Sequence, residues 1–575
     1  MTGSMPSTML SFERRNHEGG SYAPRSVSCV SVDQPRAERT VHLCDCLVTA
    51  CSLYRVWAAL AFLSVAFLWW APARADVSVP ALFGDNMVIQ SEAPFVIWGR
   101  APETEHVEIE VSWGQPRQSV TGDAQSKWRA RFAPPAAAGP HHITIRGRNT
   151  IGIKNILCGE VWICAGQSNM AMQMAYKHKD DRGVLNYAEE IAGAKYPEVR
   201  YFLVSREKNA SSPVVMTDVQ GEWKICSPDT TGNFSGVAYF FGERLHRALR
   251  RPVGLIDNSW GGTHIQAWMS PAALASDPDF ATHVAWAKKG MEDFPADQKL
   301  YQETLREWQQ QGSIPAAKPT PPYWSAGHRN IPSGLYHSRT ASLFPVSVKG
   351  VLWYQGEGNA GKAWLYQRLL PAMIRDWRRG WERDDLPFLV VQLPLLGVPG
   401  EPAKMYAQSA WAELREAQFL TAKTTPNVAL AVALDAGEDH IHPRNKRPVG
   451  ERLALQALAK VYGHKLVSSG PLYAESRVEG DKVFVRVDEI GAGLRTSDGA
   501  PIKGFVLAGV DRRFHPAEAS IVGGTVVIQS ARVKAPVAVR YAWADFPDCN
   551  LSNREGLPAS PFRSDLWPEL THGQK

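Results

Sequence analysis

The chain has 575 residues, 44% of them hydrophobic and 21% charged, with a formal net charge of +6. That apolar content excludes a disordered polymer, and 46 Gly and 40 Pro are too few for a collagen-like or low-complexity scaffold. Basic and acidic residues nearly balance at 63 and 57, which argues against a nucleic-acid partner and leaves a large globular protein of several domains.

The first element in chain order is the apolar run Val56 to Trp70, with Arg55 before it and Ala73-Arg74-Ala75 after it. A charge, an apolar stretch of about 15 residues and a small-x-small site make up a secretory signal peptide. The run is shorter than the roughly 20 residues of a membrane-spanning helix. Residues 1–75 are therefore expected to be leader and signal peptide. The mature protein is expected to be exported, periplasmic or secreted, and free of the membrane after cleavage. An uncleaved N-terminal anchor is the alternative. Cys158, Cys164, Cys226 and Cys549 remain in the mature part, and four cysteines allow three pairings.

From 76 to 154 short alternating runs, such as Val107-Glu108-Ile109-Glu110-Val111 and His142-Ile143-Thr144-Ile145, are separated by Gly, Pro and Asp turns. They predict a small β-sandwich-like module. From 155 to 470 apolar strand-like runs beginning at Val253, Val348, Phe388 and Val428 alternate with helical stretches at 237–250, 364–377, 407–419 and 449–462. That alternation predicts an α/β domain with a mostly parallel sheet, whose ligands bind at the carboxyl ends of the strands. The charged, Trp- and Pro-rich stretch from about 270 to 331 fits the alternation poorly and reads as a helical insertion beside the site. From 471 to 575 the β pattern returns as a second small module with a tail.

Four motifs each follow a predicted strand. In Gly159-Glu-Val-Trp-Ile-Cys-Ala-Gly-Gln-Ser168, a strand runs into a Gly turn and a Ser. Such a Ser exposes its hydroxyl and turns its own N–H toward a bound carbonyl oxygen, although the same residue would serve as an ordinary helix cap. Gly261 and Gly262 lie in Ser-Trp-Gly-Gly-Thr, where bare N–H groups can approach a ligand. Gln355 and Glu357 lie in Trp-Tyr-Gln-Gly-Glu; the amide could donate to an oxyanion and the carboxylate could accept from a sugar hydroxyl. Asp439 and His442 lie three apart in Asp435-Ala-Gly-Glu-Asp-His-Ile-His442, where a helical turn would bring them to one face. His440 and His442 also match part of a metal site, but no third ligand presents itself, so no metal is expected. Jointly the motifs supply a nucleophile, a base with an orienting acid, and oxyanion donors.

These residues resemble the sialate O-acetylesterase family of SGNH-type hydrolases. The resemblance rests on Gly166-Gln-Ser-Asn-Met, Ser259-Trp-Gly-Gly-Thr, Trp353-Tyr-Gln-Gly-Glu, Ile441-His-Pro with Asn445-Lys, Leu414-Arg-Glu-Ala-Gln and Gly556-Leu-Pro-Ala-Ser-Pro-Phe-Arg563, in order along nearly all of the mature chain. It implies a three-layer SGNH-like core and hydrolysis of acetyl esters on sugar hydroxyls, with an acetylated carbohydrate as partner and no cofactor. It implies Ser168 as nucleophile and His442 as general base. The oxyanion hole would come from Ser168, Gly261 or Gly262, and Gln355, with Asn169, Glu357 and Arg415 at the substrate. Asp439 is the favoured orienting acid, Asp435 the fallback, and a Ser–His dyad a third possibility. Arg339 and Arg415 are the candidates for a sialic acid carboxylate. The segment from Leu335 to Arg339 departs from the family pattern and is expected to line the cleft. Acetylated xylan or pectic glycans are the alternative substrates, and a non-catalytic carbohydrate-binding protein is the rival class.

Overall fold

One strand, β1 (Thr150–Gly166), organises the fold. Its early residues are partly exposed and pair antiparallel with the strand His141–Arg146. From Leu157 onward every residue is buried, and the pairing becomes parallel. The sequence explains the change. Thr-Ile-Gly-Ile-Lys suits a strand with a wet side, whereas Val-Trp-Ile-Cys-Ala suits a strand covered on both faces. The computed structural model describes residues 76–176, 182–206, 211–310, 318–325, 327–397 and 408–575. Residues 1–75, expected to be leader and signal peptide, lie outside them.

Six further strands complete the core sheet: β2 (Tyr196–Leu203), β3 (Trp223–Cys226), β4 (Val253–Ser259), β5 (Gly350–Tyr354), β6 (Phe388–Gln392) and β7 (Val428–Val432). Their order is β7-β6-β5-β1-β4-β2-β3, parallel throughout except β3, which runs antiparallel to β2. Every residue of β4, β5 and β6 is buried. The position 154/155, expected to divide the N-terminal module from the core, falls inside β1, so the two share a strand and a sheet.

Helices that frame the core and the site are α1 (Ser168–Ala171), α2 (Gly236–Leu249), α3 (Pro278–Gln310), α4 (Ala363–Gly380), α5 (Ala410–Thr424) and α6 (Arg447–Lys460), beside two shorter ones at Tyr187–Gly193 and Pro271–Ala275. α2 packs on α6 and α4 on α5. α2 and α5 begin at serine caps: Ser235 Oγ accepts from Ala238 N–H at 3.1 Å and Ser409 Oγ from Ala412 N–H at 2.9 Å. α3 has 33 residues and buries only Phe280, His283 and Ala287, as expected of an excursion beside the core. The C-terminal segment forms two four-stranded antiparallel sheets and one two-stranded sheet. The whole is a mixed α/β protein with one large sheet and several small ones. Cys158, Cys164, Cys226 and Cys549 are free thiols. Among the described residues no helix is long and apolar enough to cross a membrane.

Candidate active site

Register brings three of the four motifs to one level. Gly166, the last residue of β1, pairs with Ser259 at the end of β4 and with Tyr354 at the end of β5. The bonding continues one step further, with Trp260 N–H donating to Gly166 O and Gln167 N–H to Tyr354 O, both at 3.0 Å. The loops at 167, 260 and 355 therefore leave the carboxyl edge of the sheet side by side. Gly166 has φ +137°, and a Cβ there would stand 2.1 Å from Tyr354 O, so only glycine permits this approach. Gln167 then ties two of the loops together, its Oε1 accepting from Gly358 N–H at 3.1 Å.

The fourth motif starts from β7, three strands away from β1. It is drawn back across the sheet edge by polar contacts. Asn169 Nδ2 donates to Ile441 O at 2.9 Å and to Glu357 Oε1 at 2.5 Å, while Lys446 Nζ donates to Asn169 Oδ1 at 2.5 Å. The residue after Ser168 is thus bonded to the residue before His442. Leu185 N–H donates to Arg444 O, adding a second strap.

The result is an open cleft of about 870 Å³ whose wall includes Ser168, Gly261, Gly262, Glu357 and His442. Ser168 is half-buried at the start of α1. A Cβ on Gly261 would stand 3.3 Å from Ser168 Cβ, so the glycine loop lies against the serine. Among the described residues the backbone N–H groups of Ser168, Gly261 and Gly262 make no hydrogen bond, and they are available at the cleft. No hydrogen bond joins Ser168 to His442 among the described residues.

His442 is half-buried, and its backbone N–H donates to His440 Nδ1 at 3.0 Å. Burial, with the electrostatic influence of Lys446, His440 and Arg182, pushes its imidazole down to about 4. Its ring is therefore neutral, able to accept a proton, over most of the pH range. Beneath the cleft, burial lowers the fully buried Lys446 ammonium to about 7 and raises the Glu357 carboxyl. Each partly offsets the other through the charge it presents.

The other residues expected at the site take up these positions. Gln355 is fully buried and donates both amide hydrogens, to Thr263 O at 3.0 Å and Asn359 Oδ1 at 2.8 Å; it braces the glycine loop and does not face the cleft. Asn169 is likewise fully buried and straps loops together through Ile441, Glu357 and Lys446. Arg415 is fully buried and donates to the carbonyls of Leu393, Pro394, Ala544 and Asp545, which pins the C-terminal segment to β6. Arg339 is also buried and bonds to Asn258 and to the carbonyls of Val204 and Ser205; the segment from Leu335 to Arg339 does not line the cleft. Asp439 is exposed and makes no hydrogen bond to His442 among the described residues, and Asp435 is held bidentately by Arg452 at 2.5 and 2.7 Å. No group of three potential metal ligands occurs among the described residues.

The cleft contains residues the sequence reading passed over: Trp260 and three arginines, Arg182, Arg206 and Arg329. Arg182 pairs with Glu438 at 3.3 Å and Arg206 donates to Ser259 O at 3.4 Å. Arg329 lies over Gly262 and has no acidic partner among the described residues. The three come from separate loops, so no local pattern announces them.

Residues 158–459 match the family described as carbohydrate esterase, sialic acid-specific acetylesterase. The chain is 29% identical over 538 residues to a sialate O-acetylesterase of Pongo abelii and 28% identical over 536 residues to that of Homo sapiens, in each case covering 86% of this chain and 94% of the relative. It is similar to the crystal structure of a carbohydrate acetylesterase from Xanthomonas citri, with 34% identity and a TM-score of 0.72 over 86% of this chain and all of that one.

Proposed function

Since the chain belongs to the carbohydrate esterase family of sialic acid-specific acetylesterases and is a carboxylic ester hydrolase, we propose that it removes O-acetyl groups from carbohydrates, with acetylated sialic acid as the leading substrate. The observation that carries this reading is the shared wall of Ser168, His442 and the glycine loop, with unbonded backbone N–H groups beside the hydroxyl. Arg329, a guanidinium with no acidic partner among the described residues, gives a carboxylate-bearing sugar a counter-charge that a neutral xylan residue would not use. The helix pairs on a mostly parallel sheet support the SGNH-type layering that the motifs imply. The charged, apolar and small-x-small sequence at 55–75 supports export of the enzyme to an acetylated glycan outside the cytoplasm.

In this mechanism His442 Nε2 or Nδ1 accepts the Ser168 proton as Oγ attacks the acetyl carbonyl. The oxygen that gains charge is met by the N–H groups of Ser168 and Gly261 or Gly262, each such donor being worth about 3–4 kcal/mol in the transition state. His442 returns its proton to the departing sugar hydroxyl, leaving an acetyl-serine. Water, deprotonated by the same imidazole, then releases acetate and regenerates Ser168. The groups that bear on His442 are Lys446, His440 and Arg182, none of them a carboxylate, which favours a Ser–His dyad over a triad through Asp439.

The test is p-nitrophenyl acetate hydrolysis by three proteins. Ser168→Ala is expected to lose activity by roughly four or more orders of magnitude. Asp439→Asn is expected to stay within about tenfold of wild type, whereas an aspartate essential to a triad would cost on the order of 10⁴. Equal rates for wild type and Ser168→Ala would reject the nucleophile, and a collapse in Asp439→Asn would reject the dyad.

A further inference from the structure

Trp286 on α3 and Tyr323 after it are both large aromatic side chains, and each is 47% exposed. Their centroids lie 5.4 Å apart with planes 34° from parallel, so they present one tilted aromatic surface. That surface is firmly backed. Trp324, only 5% exposed, packs edge-on against both rings, at 4.8 Å from Trp286 and 5.0 Å from Tyr323. Trp324 reaches α3 only because residue 290 is glycine: a Cβ there would stand 1.9 Å from the indole.

The surface is joined to the catalytic cleft. Tyr323 Oη accepts from Asn330 Nδ2 at 2.9 Å, and the same amide donates to Gly262 O at 3.1 Å. Asn330 Oδ1 accepts from His264 N–H at 2.7 Å, fixing the other side of the glycine loop. Two hydrogen bonds therefore separate the phenol from the loop beside Ser168, and Arg329, next in sequence to Asn330, already lines the cleft. A half-exposed pair of rings, rigidly backed and continuous with a cleft, is built to receive an amphipathic ring, and sugars present C–H faces to aromatics while their hydroxyls stay wet.

We infer that the glycan chain carrying the acetylated residue runs out of the cleft over Gly262 and stacks on Trp286 and Tyr323, so that the enzyme prefers acetyl groups on oligosaccharides to those on free sugars. This rests on the carbohydrate esterase reading above. Binding a remote sugar adds affinity only for substrates long enough to reach it, so the signature is a chain-length dependence of kcat/KM.

The experiment uses p-nitrophenyl acetate together with two substrate pairs, O-acetylated sialic acid free and on sialyllactose, and acetylated xylose against acetylated xylohexaose. Wild type is expected to show a higher kcat/KM for the longer member of whichever pair it hydrolyses. Trp286→Ala is expected to lower the long-to-short ratio by roughly tenfold, the usual cost of truncating an aromatic anchor, and Trp286→Phe to restore most of it. The Phe variant separates loss of stacking from damage to α3. An unchanged ratio in Trp286→Ala, or no chain-length preference in wild type, would overturn the inference. Turnover of p-nitrophenyl acetate with neither sugar pair hydrolysed would instead overturn the carbohydrate reading beneath it.

Discussion

At the scale of single residues, the proposed base is defined by what surrounds it. Burial and three cationic or titratable neighbours hold His442 at about 4, below its ordinary 6.5. In the proposed mechanism the neutral imidazole accepts the Ser168 proton, so activity is expected to be full above the folded-state value and lost as pH falls through it. The acid limb of kcat/KM for p-nitrophenyl acetate is therefore expected near pH 4, recorded by pH jump before the protein can unfold. A limb at 6.5 would mean that the ring is solvated and free of its cationic neighbours. The meeting of Ser168 and His442 on one cleft wall was legible in the sequence, because the motif of each follows a strand and parallel strands end at one edge of the sheet. The buried positions of Asn169, Gln355 and Arg415 were not legible, for a shared reason. Polar residues inside a motif look like ligand contacts, yet here their amides and guanidinium satisfy carbonyls and side chains that the motif loops would otherwise bury unpaired.

Among the elements, the strand-to-loop transitions were readable from apolar runs ending in Gly, and their common level follows from parallel register. What sequence could not supply was the return of the 435–446 loop from the far side of the sheet, because the strap between Asn169 and Ile441 spans 272 positions. The tail residue Arg563 shows a similar long reach, its guanidinium donating to Glu416 across 147 positions. Next to it, Arg540 holds Asp565 through two 2.8 Å bonds, with side chains only 3% and 2% exposed. Removing one charge from so buried a pair leaves the other without compensation. Asp565→Asn is therefore expected to destabilise the protein by roughly 3–5 kcal/mol in urea unfolding. A loss under about 1 kcal/mol would put this pair in the class of solvent-screened surface bridges.

Over the whole molecule, three histidines share one electrostatic habit. Burial lowers His264 to about 4 and His283 to about 3, joining His442 at about 4. Between pH 6.5 and these values the unfolded chain binds more protons than the native one, so the stabilising contribution is complete above 6.5 and is lost as pH falls toward 4. Urea midpoints are expected to drop across that window, and replacing His283 with Gln should flatten the drop; an equal slope in the variant would remove His283 from the account. The alternation of strands and helices made the α/β class legible, but the continuity of β1 was hidden. Two different hydrophobic patterns meet inside it, and each alone looks like a separate domain. The continuity bears on how the protein can be cut. A genetic truncation that begins the chain at 155 would strip nearly the first third of the rod on which Ser168 is mounted. It would also remove the Val88–Gln90 strand laid parallel along the same rod. Shortened versions made for crystallography or industry should thus begin upstream of residue 88, and libraries that shuffle the amino-terminal segment between relatives will recombine cleanly in the turns before Thr150 and poorly after it.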